Sequence, residues 1–230
     1  MFVTRLRPLV QSKSADRPLM VLIQPPQHGR PPRGPIHLHL PIGALLFRIF
    51  DPTVHGATAL SFRTNGPHSR FDHHRGQGPL FDDPRDDPER VVYYAAFTLS
   101  GCIVEVFGDR GSIVFGERHV AKPQVTRDLD LLDLRGTGAM RVGSVAALAK
   151  TADRRLTQAW ARHFYEHAAV FGTIDGIVYA NAHNDEAAIV LFERAAQALF
   201  CPSQNVLRLD DPDLRTIVEE IAQNNNLPVI

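Results

Sequence analysis

The stretch Val91–Gly108 constrains the fold most, because it contains a complete predicted strand followed directly by a complete predicted helix. The apolar run Val91–Ala96 predicts a strand, and Thr98 is a residue type that commonly caps a helix N-terminus. Apolar residues at helical spacing continue to Phe107, and a glycine then ends the helix. Glu105 lies within this apolar helix, so we expect its carboxylate to be at least partly buried.

A buried carboxylate is costly unless it is paired or takes part in chemistry. The residues alone leave two interpretations of Glu105 open. It is either a functional carboxylate, or a structural glutamate that is solvated or paired with one of the arginines.

Short strands and helices interleave along the chain without a steady strand–helix–strand rhythm. Strands are predicted at 45–50, 111–115, 125–134, 177–180, 188–192 and within 199–208, and helices at 144–150, 151–167 and 211–223. In the helix at 151–167, Leu156, Trp160 and Phe164 recur every four residues and predict one apolar face. This order of elements favours an α+β fold over a doubly wound sheet.

The chain is predicted to contain an N-terminal extension and one compact domain. Residues 1–44 are rich in proline and arginine and predict an extended arm, whereas 45–230 carry the periodic apolar pattern. The arm is long enough to contact a second subunit, so the sequence leaves homo-oligomer formation open. Within the domain, the loop 51–91 is much longer than usual connections, and such loops are often functional.

Composition excludes several classes of partner. The 25 basic and 25 acidic residues balance, so no global field favours direct nucleic-acid binding. No segment approaches the roughly 20 apolar residues that a membrane span needs. The N-terminus lacks the apolar core of a secretion signal, which predicts a cytoplasmic protein.

The sequence predicts no metal site. His68, His73 and His74 crowd one loop, but no ligand spacing typical of zinc accompanies them, so solvated histidines are the preferred interpretation. The glycines within 136–143 depart from the dinucleotide fingerprint and predict a simple strand–turn–helix connection. The acidic loop 82–89 lacks the pattern of a calcium-binding loop.

Four scattered residues suggest a nucleotide site: Arg48, Arg70, Tyr94 and Glu105. Arginine forks bind phosphates, tyrosine offers a ring for stacking, and a carboxylate can stabilise a sugar oxocarbenium ion. Together these groups suit a nucleotide with a pyrophosphate and a labile glycosidic bond. Separate salt bridges and a core tyrosine explain the same residues, and both interpretations stay open.

Several motifs in order resemble the RES domain family. They are Arg70-Phe-Asp-His, Tyr94-Ala-Ala and Glu105-Val-Phe, then the helical stretch from Leu156 to Arg162, and finally Asp175-Gly-Ile-Val-Tyr-Ala-Asn followed by the strand from Ala188. The resemblance covers roughly residues 45–200. RES proteins are toxins of bacterial toxin–antitoxin pairs that destroy NAD⁺, so the resemblance implies that activity here.

The resemblance also implies a fold, a substrate and a partner. The family fold is a split, curved β-core with flanking helices and an NAD⁺ cleft, resembling ADP-ribosyltransferase toxins. NAD⁺ would be a substrate, with no resident cofactor, and inorganic phosphate is a candidate second substrate. A small helical protein antitoxin is the implied partner.

Residue roles follow position by position from the resemblance. Glu105 matches the family's catalytic glutamate, Tyr94 its active-site tyrosine, and Arg48 its first arginine, at the end of the opening strand. Arg70 matches the second arginine.

Tyr179 and Asn181 belong to the implied substrate-binding set with Arg70. Asn181 stands where the family has serine. The asparagine side chain keeps a hydrogen-bond donor and an acceptor but has no hydroxyl. This departure leaves three functions open. The chain is an NAD⁺ phosphorylase or glycohydrolase, an ADP-ribosyltransferase that modifies a macromolecule, or an inactive protein that binds NAD⁺ or a partner.

Overall fold

A computed structural model of the protein describes residues 21–230, and they form an α+β fold of several small sheets and five helices. The helices are α1 (Leu99–Phe107), α2 (Thr137–Arg141), α3 (Arg154–Glu166), α4 (Ala168–Phe171) and α5 (Pro212–Asn224). The strands are β1 (His37–Leu40), β2 (Arg48–Phe50), β3 (Asn65–Gly66), β4 (Arg85–Asp86), β5 (Val92–Ala96), β6 (His119–Ala121), β7 (Gln124–Val125), β8 (Leu129–Asp133), β9 (Gly176–Ala180), β10 (Ala187–Phe192), β11 (Leu199–Phe200) and β12 (Val206–Arg208).

The main sheet has five strands in the order β1-β8-β9-β10-β5. Only β8 and β9 run parallel, because α2, α3 and α4 connect them, while the other neighbours are antiparallel. Strands β9 and β10 lie in the middle and are almost wholly buried, as their unbroken apolar sequences require. They pair through the turn 181–186.

Local signals place three of the four predicted helices as expected, whereas the segment 144–150 forms a 3₁₀-helix at Ala146–Lys150. Thr98 caps α1 by accepting a hydrogen bond from the Gly101 N–H at 2.9 Å, and Asp153 caps α3 in the same way. Helix α5 follows Asp211 and has proline at its first position. None of the helices within residues 21–230 is long and apolar enough to cross a membrane.

The largest core cluster lies between the main sheet and α3. Trp160, Phe164 and Phe171 are fully buried there against the sheet residue Tyr179. The Trp160 indole N–H also donates to the Gln24 carbonyl at 2.9 Å, which attaches the N-terminal segment to α3.

Part of the predicted N-terminal extension belongs to the main sheet. Strand β1 pairs with β8, with His37 opposite Leu132. The two strands are far apart along the chain, so the sequence does not indicate that they pair. The boundary at residue 45 between the N-terminal extension and the compact domain stays a prediction. The part of the extension before residue 21 lies outside the described residues.

Two strand predictions are corrected. The segment 111–115 is not a strand: only Ile113 forms a bridge, to Val229, and Gly111 and Gly116 on either side have positive φ values of 72° and 52°. Arg48 begins a strand rather than ending one. Leu45 and Phe47 make single bridges to two different sheets before Arg48 starts continuous pairing with β6.

Candidate active site

Glu105 lies on α1, which follows shortly after the edge strand β5 that carries Tyr94. Its Oε1 accepts a hydrogen bond from the Tyr179 hydroxyl at 3.1 Å, whereas its Oε2 is buried and has no hydrogen-bond partner among the described residues. Burial raises the pKa of Glu105, and the charge of Arg70 offsets part of that increase. The carboxylate therefore has one fixed oxygen and one buried oxygen without a partner among the described residues.

Tyr179 holds this carboxylate from the middle of the sheet. It is fully buried on β9, and its ring packs against Phe71 with centroids 4.9 Å apart. Burial, with Glu105 adding to it, raises the pKa of Tyr179 well above its ordinary value. The hydroxyl stays protonated and acts as a donor to Glu105.

Arg70 lies close to these two groups. The next residue, Phe71, packs against the ring of Tyr179, whose hydroxyl binds Glu105. The charge of Arg70 acts to lower the pKa values of both Glu105 and Tyr179, against the larger effect of burial. Arg70 Nε and Glu105 Oε2 are both buried and without a hydrogen-bond partner among the described residues.

Tyr94 is fixed by the loop that carries Arg70. Its hydroxyl donates to Asp72 Oδ1 at 2.7 Å and accepts a hydrogen bond from the Phe71 N–H at 3.2 Å. Burial and Asp72 raise the pKa of Tyr94 well above its ordinary value. Because the hydroxyl has both of these partners, the ring is the part of Tyr94 left for a ligand.

Asp72 is a central residue of this site that the sequence analysis missed. It is fully buried and accepts hydrogen bonds from Arg63 Nη2, Tyr94 and two backbone N–H groups. Burial acts to raise the pKa of Asp72, but Arg63 and the N–H groups outweigh it and hold the pKa below its ordinary value. The Arg70-Phe-Asp-His motif contains this residue, but nothing local in the sequence indicates its distant partners.

Arg48 lines the largest cleft of the site. The cleft has a volume of about 930 Å³, and Arg63, Arg118 and His68 also line it. The Arg48 guanidinium lies 4.3 Å from the Tyr93 ring centroid and donates to the Ser61 carbonyl at 2.7 Å. These contacts hold the positively charged guanidinium of Arg48 at the cleft wall. A guanidinium in a fixed position suits the binding of an anion.

The cleft and the Glu105 group are neighbours and not one cavity. Neither Glu105, Arg70, Tyr94 nor Tyr179 lines the cleft. Arg48 and Glu105 do lie near one thiol, since the charges of both act on the pKa of Cys102, which burial raises to about 12. The structure therefore brings five of the predicted residues into one region with two adjoining parts.

Asn181 differs from the other predicted site residues, because its side-chain oxygen and nitrogen both hydrogen-bond within its own turn. It follows β9 and is fully buried, its Oδ1 accepts from the His183 and Asn184 N–H groups at 2.9 Å, and its Nδ2 donates to Asn184 Oδ1 at 2.7 Å. The amide thus stabilises the turn between β9 and β10.

A second group that the sequence analysis missed anchors the N-terminus of α1. Glu186, in the same turn, accepts hydrogen bonds from Thr98 and Ser100 and from Asn184 Nδ2. Burial acts to raise the pKa of Glu186, but these hydrogen bonds outweigh it and lower the pKa. The turn therefore connects β9 and β10 to the helix that carries Glu105.

Comparisons with known proteins agree with this architecture. The model of the RES domain family matches residues 45–214. A crystal structure of the M. tuberculosis MbcT–MbcA toxin–antitoxin complex contains a similar chain, with a TM-score of 0.51 and 18% sequence identity over 79% of this chain and 92% of that chain. At this identity the likeness shows the fold. No curated protein matches the sequence.

Proposed function

The chain belongs to the RES domain family, and we propose that it is a toxin-type enzyme that cleaves the nicotinamide–ribose bond of NAD⁺. The observation that carries this proposal is the state of Glu105. Tyr179 fixes one of its oxygens, and the other is buried without a partner among residues 21–230, where the charge of Arg70 acts to lower the pKa of the carboxyl. A carboxylate held in this way suits an oxocarbenium-like transition state.

In the proposed reaction the bond between ribose C1′ and the nicotinamide ring nitrogen breaks. Its electron pair stays on nicotinamide, which leaves as a neutral molecule, so no strong general acid is needed. Glu105 stabilises the positive charge that develops on the ribose and positions the ribose hydroxyls. Water then attacks C1′ and loses a proton, giving ADP-ribose, or inorganic phosphate attacks and gives the ADP-ribose 1-phosphate.

The other residues have binding roles in this proposal. Arg48 holds the pyrophosphate from the cleft wall, and Arg70 holds a phosphate or the attacking phosphate ion. The Tyr94 ring packs against the nicotinamide or its ribose, since its hydroxyl is engaged by Asp72. Tyr179 orients Glu105. Asn181 acts through the turn that it stabilises.

The direct test measures nicotinamide release from NAD⁺ by purified protein, with and without inorganic phosphate. Release that requires phosphate identifies a phosphorylase, and release without it identifies a glycohydrolase. Glu105→Gln should abolish release, and Glu219→Gln provides a matched control on the exposed face of α5. Equal activity of Glu105→Gln and the wild type would remove Glu105 from the mechanism.

We also propose a protein antitoxin as partner and the cytoplasm, where the protein would consume free NAD⁺, as the place of action. The similar crystal structure is that of a toxin–antitoxin complex. Expression should lower cellular NAD⁺ and arrest growth, and co-expression of the antitoxin should prevent both effects. Growth arrest with unchanged NAD⁺ would contradict the proposed substrate.

A second candidate function follows from Asn181. Because its Oδ1 and Nδ2 both hydrogen-bond within its own turn, no hydroxyl is offered at the position of the family's serine. The protein would then bind NAD⁺ without turnover. Binding of NAD⁺ without nicotinamide release, with activity gained in Asn181→Ser, would favour this candidate. Transfer of label from NAD⁺ to protein or nucleic acid would instead identify an ADP-ribosyltransferase.

A further inference from the structure

We propose that Asp72 is a positioning residue that fixes Arg70 and Tyr94 in their places beside Glu105. This inference rests on the proposed function, because it names a residue on which that reaction depends. Asp72 itself would not touch the substrate.

The hydrogen bonds of Asp72 leave it no capacity for a ligand. Arg63 Nη2 lies 2.8 and 2.7 Å from its two oxygens, and the Tyr94 hydroxyl lies 2.7 Å from Oδ1. The N–H groups of His68 and Ser69 donate to Oδ2 at 2.6 and 2.8 Å. A carboxylate accepts about four hydrogen bonds, so these donors saturate it.

The same contacts fix the backbone on both sides of Arg70. His68 and Ser69 donate to Asp72 from positions just before the arginine, and Phe71, just after it, donates to Tyr94 at 3.2 Å. From the opposite side, Gln158 Nε2 donates to the Ser69 carbonyl at 3.0 Å. The segment 68–72 is therefore held at nearly every residue.

Charge explains why an aspartate is needed at this buried position. Its carboxylate offsets the charge of Arg63, which also lines the 930 Å³ cleft. Asparagine would present an NH₂ group to several donors and leave the Arg63 charge without its counterion. Asp72→Asn should therefore release both the segment before Arg70 and the Tyr94 hydroxyl.

The protein contains a matched control for a purely structural role. Asp87 is also a buried carboxylate paired with an arginine, since Arg75 donates to it through Nε at 3.0 Å and Nη2 at 2.6 Å. It lies in the same long loop but contacts neither Arg70 nor Tyr94. Asp87→Asn therefore reproduces the loss of a buried ion pair without disturbing the proposed site.

The experiment compares the wild type, Asp72→Asn and Asp87→Asn in three measurements: urea unfolding, the kcat and KM of nicotinamide release, and amide hydrogen exchange of the segment 66–74. Both variants should lose stability. Only Asp72→Asn should lose about 100-fold in kcat/KM under conditions where it is folded, because a misplacement of about 1 Å costs on that order. Only Asp72→Asn should show faster exchange in the segment 66–74.

If Asp72→Asn does not fold, Tyr94→Phe replaces it in the experiment. This variant keeps the ring but removes the hydroxyl that donates to Asp72 and accepts from the Phe71 N–H. It should speed exchange in the same segment and lower kcat more than it changes KM.

Equal kcat/KM in Asp72→Asn and Asp87→Asn, with equal exchange, would overturn the positioning role. A wild type without nicotinamide release would instead refute the proposed function. Hydrogen exchange would then still decide whether Asp72 fixes the segment that carries Arg70.

Discussion

The hydroxyl of Tyr179 donates to Oε1 of Glu105 at 3.1 Å, which joins the centre of the main sheet to the helix α1. Because Tyr179 is fully buried on β9, its position is set by the sheet and not by solvent or by a flexible loop. Glu105 thus has an orientation that the core determines.

Tyr179→Phe removes the hydrogen bond that favours the ionised form of Glu105. The pKa of Glu105, already raised by burial, should therefore rise further. If ionised Glu105 is required, the acid limb of the kcat/KM profile should move to higher pH by about one unit, the size expected for a lost hydrogen bond to a charged group. Tyr93→Phe is the control, because the hydroxyl of that buried residue donates to the Ala59 carbonyl instead. If the acid limb of the kcat/KM profile lies at the same pH in Tyr179→Phe and Tyr93→Phe, the role of Tyr179 is contradicted.

Glu105→Gln should lower kcat by at least about 100-fold. It should also make the free energy of unfolding less dependent on pH. A carboxyl whose pKa is raised on folding binds its proton more tightly in the native state, so the stability that it contributes is lost as pH rises from its ordinary pKa of 4.5 through the raised value. The wild type should therefore lose stability relative to Glu105→Gln over this range. Urea unfolding between pH 4 and 8 measures the difference in the free energy of unfolding between the wild type and the variant. A difference that does not change with pH would argue against a raised pKa of Glu105.

Arg48→Lys should raise the KM for NAD⁺ about tenfold and leave kcat nearly unchanged, because lysine keeps the charge but loses the planar fork that fits phosphate. The matched control is Arg215→Lys, another arginine that lies over an aromatic ring, 5.5 Å from the Phe115 centroid, but on the exposed surface. Steady-state kinetics at fixed ionic strength provide the measurement. A fall in kcat with unchanged KM would assign Arg48 to the transition state and not to phosphate binding.

His74→Gln should remove part of the loss of stability in mild acid. Burial lowers the pKa of His74 from 6.5 to about 4, so its protonation is disfavoured in the folded state. Its contribution to stability is complete above pH 6.5 and is lost as pH falls to about 4, by up to about 3 kcal/mol at about 1.4 kcal/mol per unit. Urea unfolding of the wild type and variant over this range should show a steeper slope for the wild type. Equal slopes for the wild type and His74→Gln would contradict a lowered pKa of His74 in the folded protein.

Where the chain carries local signals, the sequence predicts the structure well. Strand β5 and helix α1 lie within a residue of their predicted bounds, because Thr98 caps the helix and apolar residues follow at helical spacing. Glu105 and Arg70 could be selected from their motifs, and the structure places them near each other.

Long-range pairings account for what the sequence could not predict. Arg63 and Asp72 form a buried ion pair whose partners are both common loop residues, so neither signals the other. The strand β1 lies in a proline-rich arm, and its partner β8 comes more than eighty positions later. The role of Asn181 also depends on its surroundings, because the residue type alone does not reveal that its amide is already engaged.

The order of strands in the main sheet has a consequence for the moment at which the protein would become active during synthesis. Strand β5, with Tyr94, pairs with β10, and β10 pairs with β9, which carries Tyr179. A nascent chain that already includes Arg48, Tyr94 and Glu105 therefore still lacks the strands that hold them until residue 192 has left the ribosome. Because pairing of distant segments is slow, the candidate site should form late in synthesis.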